Sequence, residues 1–183
     1  MKQIIFSLAV FIACVSFSAH AMTVEEAYAA IPHKRSVFDG NVSRLSAAQI
    51  DGLKRLFATS DQGVVLRVEG LRALRGADAP QLRKVISDYR VLASKLALQN
   101  VPAEIKPAQD LIVQAIANHQ HFFEMKLRNN DTLAKRDAAF TADINQASQK
   151  LHRAYDVLMK AFPSEPASNK TAFYDYLCAL DFL

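Results

Sequence analysis

The stretch DQGVVLRVEG, residues 61–70, decides between an all-helical fold and a mixed one. Its centre, residues 64–68, is an apolar and mostly β-branched run of the kind that favours a strand. A single strand would have no partner in this chain, and its backbone groups would stay unsatisfied. We therefore predict that residues 46–75 form a helix, and Gly63 is where we expect any kink.

The other long segments have the spacing of amphipathic helices. In residues 133–158, apolar side chains recur at alternating steps of three and four once Asp137 is counted. Residues 82–96 and 112–123 show the same spacing. The sequence therefore predicts an all-α fold, a four-helix up-down-up-down bundle with short N- and C-terminal capping helices.

Polar residues that suit helix starts precede several of these segments. Thr23 and Ser46 each stand three residues before a Glu or Gln, which is the pattern of a capping box. Asp78 precedes a proline in the first turn, and Ser168 follows the proline-containing segment 163–166. We expect these two residues to cap the third long helix and the last short one.

The first 21 residues have the features of a secretory signal. Lys2 gives the positive start, an apolar run follows, and Ala19-His20-Ala21 is a small-x-small cleavage pattern. We expect residues 1–21 to be removed and residues 22–183 to form one helical domain, secreted into a bacterial periplasm. A lipid anchor on Cys14 is the alternative. The mature chain contains no second apolar run of this kind, so we expect no transmembrane segment.

Removal of that segment changes the charge and the cysteine count. It takes away one of the 22 basic residues and none of the 18 acidic ones, so the net charge falls from +4 to +3. This is mildly basic and does not indicate a nucleic-acid-binding protein. Cys178 is then the single cysteine, either a packed thiol or one half of an intermolecular disulfide.

Catalytic signatures are missing from the sequence. It contains no GxSxG, Walker loop, HExxH, CxxCH or GxGxxG motif, so we expect neither catalysis nor a cofactor. His119 lies on an apolar helical stripe and is interpreted as a core histidine that meets Asp143 or Tyr89. A metal or haem site that uses His119 is the weaker alternative.

Two groups of basic residues are candidate binding sites. In an up-down-up-down bundle, the turns after the first and third long helices lie at one end. That end would collect eight basic residues, here called the cationic pole: Arg72, Arg75, Arg83, Lys84, Lys126, Arg128, Lys135 and Arg136. The second group, His33, Lys34 and Arg35, lies in IPHKRSVFDG (residues 31–40), which is interpreted mainly as a corner between helices.

Residues 45–49, LSAAQ, are similar to the LTxxQ signature of the CpxP and Spy family of periplasmic stress chaperones. The resemblance covers five residues, has Ser in place of Thr and occurs once. A capping box also explains these residues. We therefore predict a non-catalytic binding or adaptor module for an anionic ligand or an acidic protein, with a stress chaperone or sensor as the alternative that this resemblance implies.

Overall fold

The computed structural model describes the backbone of residues 21–129 and 138–179 and the side chains of residues 21–129 and 142–179. This part of the chain contains six helices and no strand, which confirms the all-α prediction. In chain order they are α1 (Val24–Tyr28), α2 (Ala47–Arg75), α3 (Ala79–Leu98), α4 (Lys106–Arg128), α5 (Ala138–Ala161) and α6 (Ala167–Cys178). None of the described helices combines the length and apolar composition that a bilayer crossing requires.

The first three helices begin at the capping residues that the sequence predicted. The Thr23 hydroxyl accepts a hydrogen bond from the backbone N–H of Glu26, whose carboxylate accepts one from the Thr23 N–H. Ser46 forms the same reciprocal box at the start of α2. Asp78 accepts from a backbone N–H in the first turn of α3. These side chains satisfy donors that a helix start leaves without partners.

The prediction that Ser168 caps the last helix is wrong. Helix α6 begins one residue earlier, at Ala167, and Pro166 stands at its N-cap position without a side-chain hydrogen bond. The Pro166 carbonyl accepts the first helical hydrogen bond, from the Lys170 N–H. Pro166 provides the extended backbone that precedes a helix, and it lies two residues before Ser168.

Helix α2 runs without interruption through the ambiguous stretch, and its second half is buried on almost every side. All six residues from Gly63 to Val68 are buried. Helices α1, α3, α4 and α6 pack against α2, while α5 packs against α4 and α6. A helix that is surrounded by other helices needs apolar residues all around its circumference. The run in residues 64–68 therefore reflects burial in a helix.

The apolar side chains of α2 enter two clusters. Leu53, Leu56 and Leu74 belong to the main core, which includes side chains of α3, α4, α5 and α6. Val64, Val65 and Val68 pack instead in a smaller cluster with Ala27 of α1, with Ile31, which follows α1, and with Ala179. The short helix α1 therefore covers the side of α2 that the main core leaves open.

A contact between α2 and α4 depends on a residue without a side chain. A Cβ atom at Gly70 would lie 2.3 Å from Cζ of Phe123, whose ring is fully buried. A separation this short lies well inside van der Waals contact. Gly70 is therefore required for the ring of Phe123 to lie against the backbone of α2.

We expect Gly70→Ala to destabilise the protein by about 1–3 kcal/mol, because the added methyl must displace the ring of Phe123 in a packed core. Gly63→Ala is the matched control, since a Cβ there meets no atom within 4 Å. Alanine favours the helix, so the control should be neutral or stabilised by up to about 1 kcal/mol. Urea denaturation of both variants measures the difference. Equal stability of the two variants would contradict the close contact at Gly70.

Candidate functional site

The cationic pole is only partly within the described chain. Its described residues lie in the last turn of α2, the opening turns of α3 and the last turn of α4: Arg72, Arg75, Arg83, Lys84, Lys126 and Arg128. The other two, Lys135 and Arg136, lie outside the described residues. Of the six, five are exposed and Lys126 is not.

Lys126 belongs to the interior, with 3% of its surface exposed. It follows His119 and Phe123 at helical spacing on the buried face of α4. A partner in solvent cannot reach a side chain in this position. Lys126 is therefore not part of an exposed binding surface, contrary to the expectation from the sequence.

Lys84 is already paired within the protein. Its Nζ lies 2.6 Å from Oδ2 of Asp88, one turn further along α3, and this hydrogen bond raises the pKa of Lys84. The remaining four exposed residues, Arg72, Arg75, Arg83 and Arg128, form no side-chain hydrogen bond or ion pair with any described residue. We call these four residues the arginine end.

Contacts between α3 and α4 place these arginines at one end of the two helices. Arg90 pairs with Glu124 at 3.2 Å, while Gln109, earlier in α4, donates to the carbonyl of Leu96, later in α3. The two helices are therefore antiparallel. Arg83 lies about 10 Å beyond Arg90, and Arg128 lies about 6 Å beyond Glu124 in the same direction, at 1.5 Å per residue.

The end of α2 lies next to the start of α3. Only Gly76 and Ala77 separate α2 from the residue that caps α3, and Ala77 adopts a left-handed backbone with φ of 52°. This short turn brings Arg72 and Arg75 close to the opening turns of α3. The backbone thus gathers all four guanidinium groups at one end of the packed helices.

The corner that contains His33, Lys34 and Arg35 is held from inside the protein. His33 Nε2 lies 2.8 Å from Oδ1 of Asp175, a residue of α6 that is 2% exposed. The Arg35 guanidinium donates to Asp61 on α2 at 2.6 Å. Of the three basic residues only Lys34 is exposed. Two of them thus serve internal contacts, which supports the interpretation of this segment as a corner.

Arg35 also lies between two tyrosine rings. Its guanidinium carbon is 4.5 Å from the ring centroid of Tyr28 and 5.1 Å from that of Tyr176. The Tyr28 hydroxyl donates to the same Asp61 oxygen that Arg35 contacts. Burial raises the pKa of Asp61 against the opposing effect of Arg35. This cluster joins α1, α2, α6 and the corner through one cation.

Three buried polar side chains of the C-terminal segment hold the rest of the corner. Asp175 accepts a hydrogen bond from the backbone N–H of Ser36. Asn169 accepts from the N–H of Asp39 and donates to its carbonyl. Glu165 accepts from the N–H of Arg44. Reasoning from the sequence missed all three acceptors.

His119 is a core residue, as the sequence predicted. It is 4% exposed and its ring centroid lies 6.1 Å from that of Tyr89. The alternative prediction, that His119 meets Asp143, is wrong. The Asp143 carboxylate instead contacts His121 at 2.7 Å and Asn118 at 3.3 Å. Burial, with a smaller effect of the Arg67 charge, lowers the pKa of His119 to about 3.

The described chain has neither a three-residue metal cluster nor an exposed thiol. Among its residues, no group of three His, Cys, Asp or Glu side chains is arranged to hold a metal ion. Cys178 is fully buried, and its Sγ lies 3.8 Å from Nδ1 of His152. The thiol therefore packs inside the protein, as the first of its two interpretations proposed.

Arg67 is a buried cation that the sequence analysis did not single out. It is 6% exposed, and its Nε and Nη1 atoms have no hydrogen-bond partner among the residues that the structure describes. The guanidinium carbon lies 4.9 Å from the ring centroid of Phe122 and 5.7 Å from that of Phe123. Its position in the sequence, inside the apolar run of residues 64–68, indicates this burial. A helix that is buried on all sides along such a run must bury the arginine too.

Comparison with protein-family models, with curated proteins and with solved structures gives no match to this chain. Its function must therefore be inferred from the arrangement of its own side chains.

We expect protein stability to depend on pH through His119. Its pKa is about 3 in the folded protein and about 6.5 when unfolded, so the unfolded state binds the proton first as pH falls. The free energy of unfolding should therefore drop by about 2 kcal/mol between pH 7 and pH 5 from this residue alone.

For His119→Gln, urea denaturation across this pH range should show a free energy of unfolding that lacks the drop of about 2 kcal/mol. His121→Gln is the matched control, because the same change two residues away falls on a side chain that is 55% exposed. Parallel pH profiles for the two variants would show that His119 is not buried in its neutral form.

Proposed function

We propose that this chain is a non-catalytic binding module whose partner is anionic and docks on the arginine end. The observation that carries the proposal is the presence, at adjacent helix ends, of four exposed guanidinium groups that have no partner within the described part of the chain. Guanidinium groups bind carboxylate and phosphate oxygens in a bidentate manner. Several such groups on one surface suit a partner with several negative charges.

Helix dipoles explain three of the four positions. Arg72, Arg75 and Arg128 lie in last turns, where the partial negative charge of the helix favours a cation. Arg83 is the fifth residue of α3, near the end of the helix where the dipole does not favour a cation. The dipole therefore gives no reason for Arg83, and binding of an anion supplies one.

The proposal includes the helix arrangement that the sequence predicted. In it, α2 to α5 alternate in direction as an up-down-up-down bundle, with α1 and α6 on its flanks. The contacts of each long helix with the next one along the chain, and the antiparallel pairing of α3 with α4, support this arrangement.

A chaperone remains the second candidate, and a groove between α2 and α3 is where it would bind. The groove encloses about 510 Å³ and has an apolar floor that includes Leu66 and Leu92. Val91 at its edge is 47% exposed, and Leu98 on the same helix is 86% exposed. These apolar side chains are few for a protein that captures unfolded chains, so we favour the anionic partner.

Charge reversal tests the arginine end. We expect the double variant Arg83→Glu/Arg128→Glu to lose about tenfold or more in affinity for an anionic partner at low salt, and to show a flatter salt dependence. Suitable probes are vesicles containing phosphatidylglycerol, inorganic polyphosphate and an acidic peptide. Binding is measured from about 20 to about 300 mM NaCl, a range over which screening of exposed charges becomes strong.

The control for this experiment is Arg153→Glu/Lys160→Glu, which makes the same change in net charge. Both residues are exposed on α5. They lie beyond the contact of Lys150 with Asn118, toward the start of α4 and away from Arg128. Equal loss in the two double variants would show that net charge alone drives binding, and no loss in either would exclude the arginine end.

We also propose export, with cleavage between Ala21 and Met22. The backbone nitrogen of Met22 lies 3.4 Å from Oε1 of Glu69 on α2. Cleavage would convert this amide into an ammonium group, which would form an ion pair with Glu69. The Met22 side chain packs against the small cluster beneath α1. Processing would therefore strengthen the attachment of α1 to α2.

We expect the form that begins at Met22 to be more stable than a form that retains residues 16–21, by up to about 1 kcal/mol, as for other partly exposed ion pairs. Thermal unfolding at pH 7 measures the difference. Glu69→Gln should abolish it, and so should pH 9.5, where an α-amino group is neutral. A Glu69→Gln effect of equal size in both forms would contradict the ion pair.

A further inference from the structure

The open groove between α2 and α3 is large enough for a small molecule. The residues of α3 that line it, between Asp88 and Gln99, are spaced at i, i+3, i+4, i+7 and i+11, and those of α2, between Arg55 and Leu66, have the same spacing. Such positions share one side of a helix. The groove therefore extends for about 16 Å along both helices, at 1.5 Å per residue. Its volume of about 510 Å³ falls within the range of small-molecule sites.

The middle of the groove is apolar. Leu66 and Leu92 belong to its floor, Val91 at its edge is 47% exposed, and Ala58 on α2 adds a small exposed side chain. An alkyl chain laid along these residues would remove apolar surface from water on both sides of the contact. A few apolar side chains suffice for one such chain, whereas an unfolded protein needs a larger apolar surface.

Two cations lie together at one end of the groove. Arg55 donates to the carbonyl of Asn100, and Gln99 donates to Thr59, so the first half of α2 lies beside the end of α3. Lys95, one turn before Gln99, forms no side-chain hydrogen bond or ion pair with any described residue. The bond to Asn100 occupies one of the five N–H groups of the Arg55 guanidinium. This end of the groove therefore offers cationic donors to a ligand.

The acidic residue of the groove lies away from these cations and is neutralised. Asp88 precedes Lys95 by two turns of α3, which is about 10 Å at 1.5 Å per residue. Its carboxylate pairs with Lys84 at 2.6 Å. The groove thus combines an apolar middle with one cationic end. This arrangement complements a molecule that has a single apolar chain and a single negative head group.

We propose that the groove between α2 and α3 binds a free medium-chain fatty acid. The carboxylate accepts charge-assisted hydrogen bonds from Lys95 and Arg55, and the alkyl chain lies along the apolar middle. Lys95 is separated from Arg83 of the arginine end by about 18 Å along α3. The two sites are therefore distinct, and loss of either proposal leaves the other intact.

Isothermal titration calorimetry with sodium dodecanoate, kept below the concentration at which it forms micelles, tests the proposal on the unmodified protein. We expect one dodecanoate to bind per chain. A maltoside with the same alkyl chain has no charge, so we expect it to bind about tenfold more weakly or less. This difference measures the contribution of the cationic end.

Charge reversal at Lys95 tests the position of the head group. Lys95→Glu places a negative charge beside the carboxylate and should lower the affinity for dodecanoate about tenfold or more. Lys54→Glu is the matched control, because Lys54 is also exposed but lies against Gly40 in the corner, outside the groove. The control should retain its affinity within about twofold.

A valine in the groove tests the position of the alkyl chain. Val91→Gln should lower the affinity for dodecanoate about fivefold, because a polar amide replaces part of the apolar contact. Val37→Gln is the matched control, since Val37 is 66% exposed and lies in the corner. All four substituted residues are exposed, so we expect the variants to fold as the unmodified protein does, which circular dichroism checks.

Three results would overturn the proposal. The first is no binding of dodecanoate, or equally tight binding of the maltoside. The second is unchanged affinity for dodecanoate in both Lys95→Glu and Val91→Gln. The third is tighter binding of an apolar peptide with a free C-terminal carboxylate, which would assign the groove to a protein partner.

Discussion

The burial of the second half of α2 on nearly all sides is the constraint on which the rest of the structure depends. Such a helix can carry polar residues only where their hydrogen bonds are satisfied, and Thr59 and Ser60 donate to backbone carbonyls one turn earlier. It also needs positions without side chains where neighbouring helices come close, as Gly70 provides for Phe123. Arg67 is buried there with two nitrogen atoms that have no hydrogen-bond partner among the described residues. It is the one residue of the buried half of α2 whose presence the packing of the described chain does not explain.

The corner between α1 and α2 shows how a segment without regular structure can be as well defined as a helix. Buried carboxylate and amide groups satisfy its backbone N–H groups, as sheet or helix partners would elsewhere. The acceptors themselves are buried only because they are so bonded. The loss of one acceptor would leave a backbone donor unsatisfied inside the protein. Two of the three basic residues of the corner, His33 and Arg35, are therefore explained by its structure.

Helix positions could be predicted from the sequence because periodicity and capping are local properties. Residues such as Thr23 and Asp78 act on groups three positions away. The cationic pole was predicted less well. The prediction grouped basic residues because they lie near helix ends, without asking which side of its helix each residue occupies. Phase places Lys126 on the buried stripe of His119. The pairing of Arg35 with Asp61 could not be predicted, since it joins residues that only the tertiary fold brings together.

The hydrogen bonds of the segment between α1 and α2 link distant parts of the chain: His33 and Asp175 are 142 positions apart, and Ser43 and Glu165 are 122 positions apart. Contacts of such high sequence separation form late in folding, because the entropy of closing a long loop must be met before they contribute. The N-terminal corner consequently cannot become ordered until α6 has been synthesised and has docked. In a chain that crosses a membrane from its N-terminus, as we propose for this one, this segment would thus stay without its native contacts until the last helix emerges.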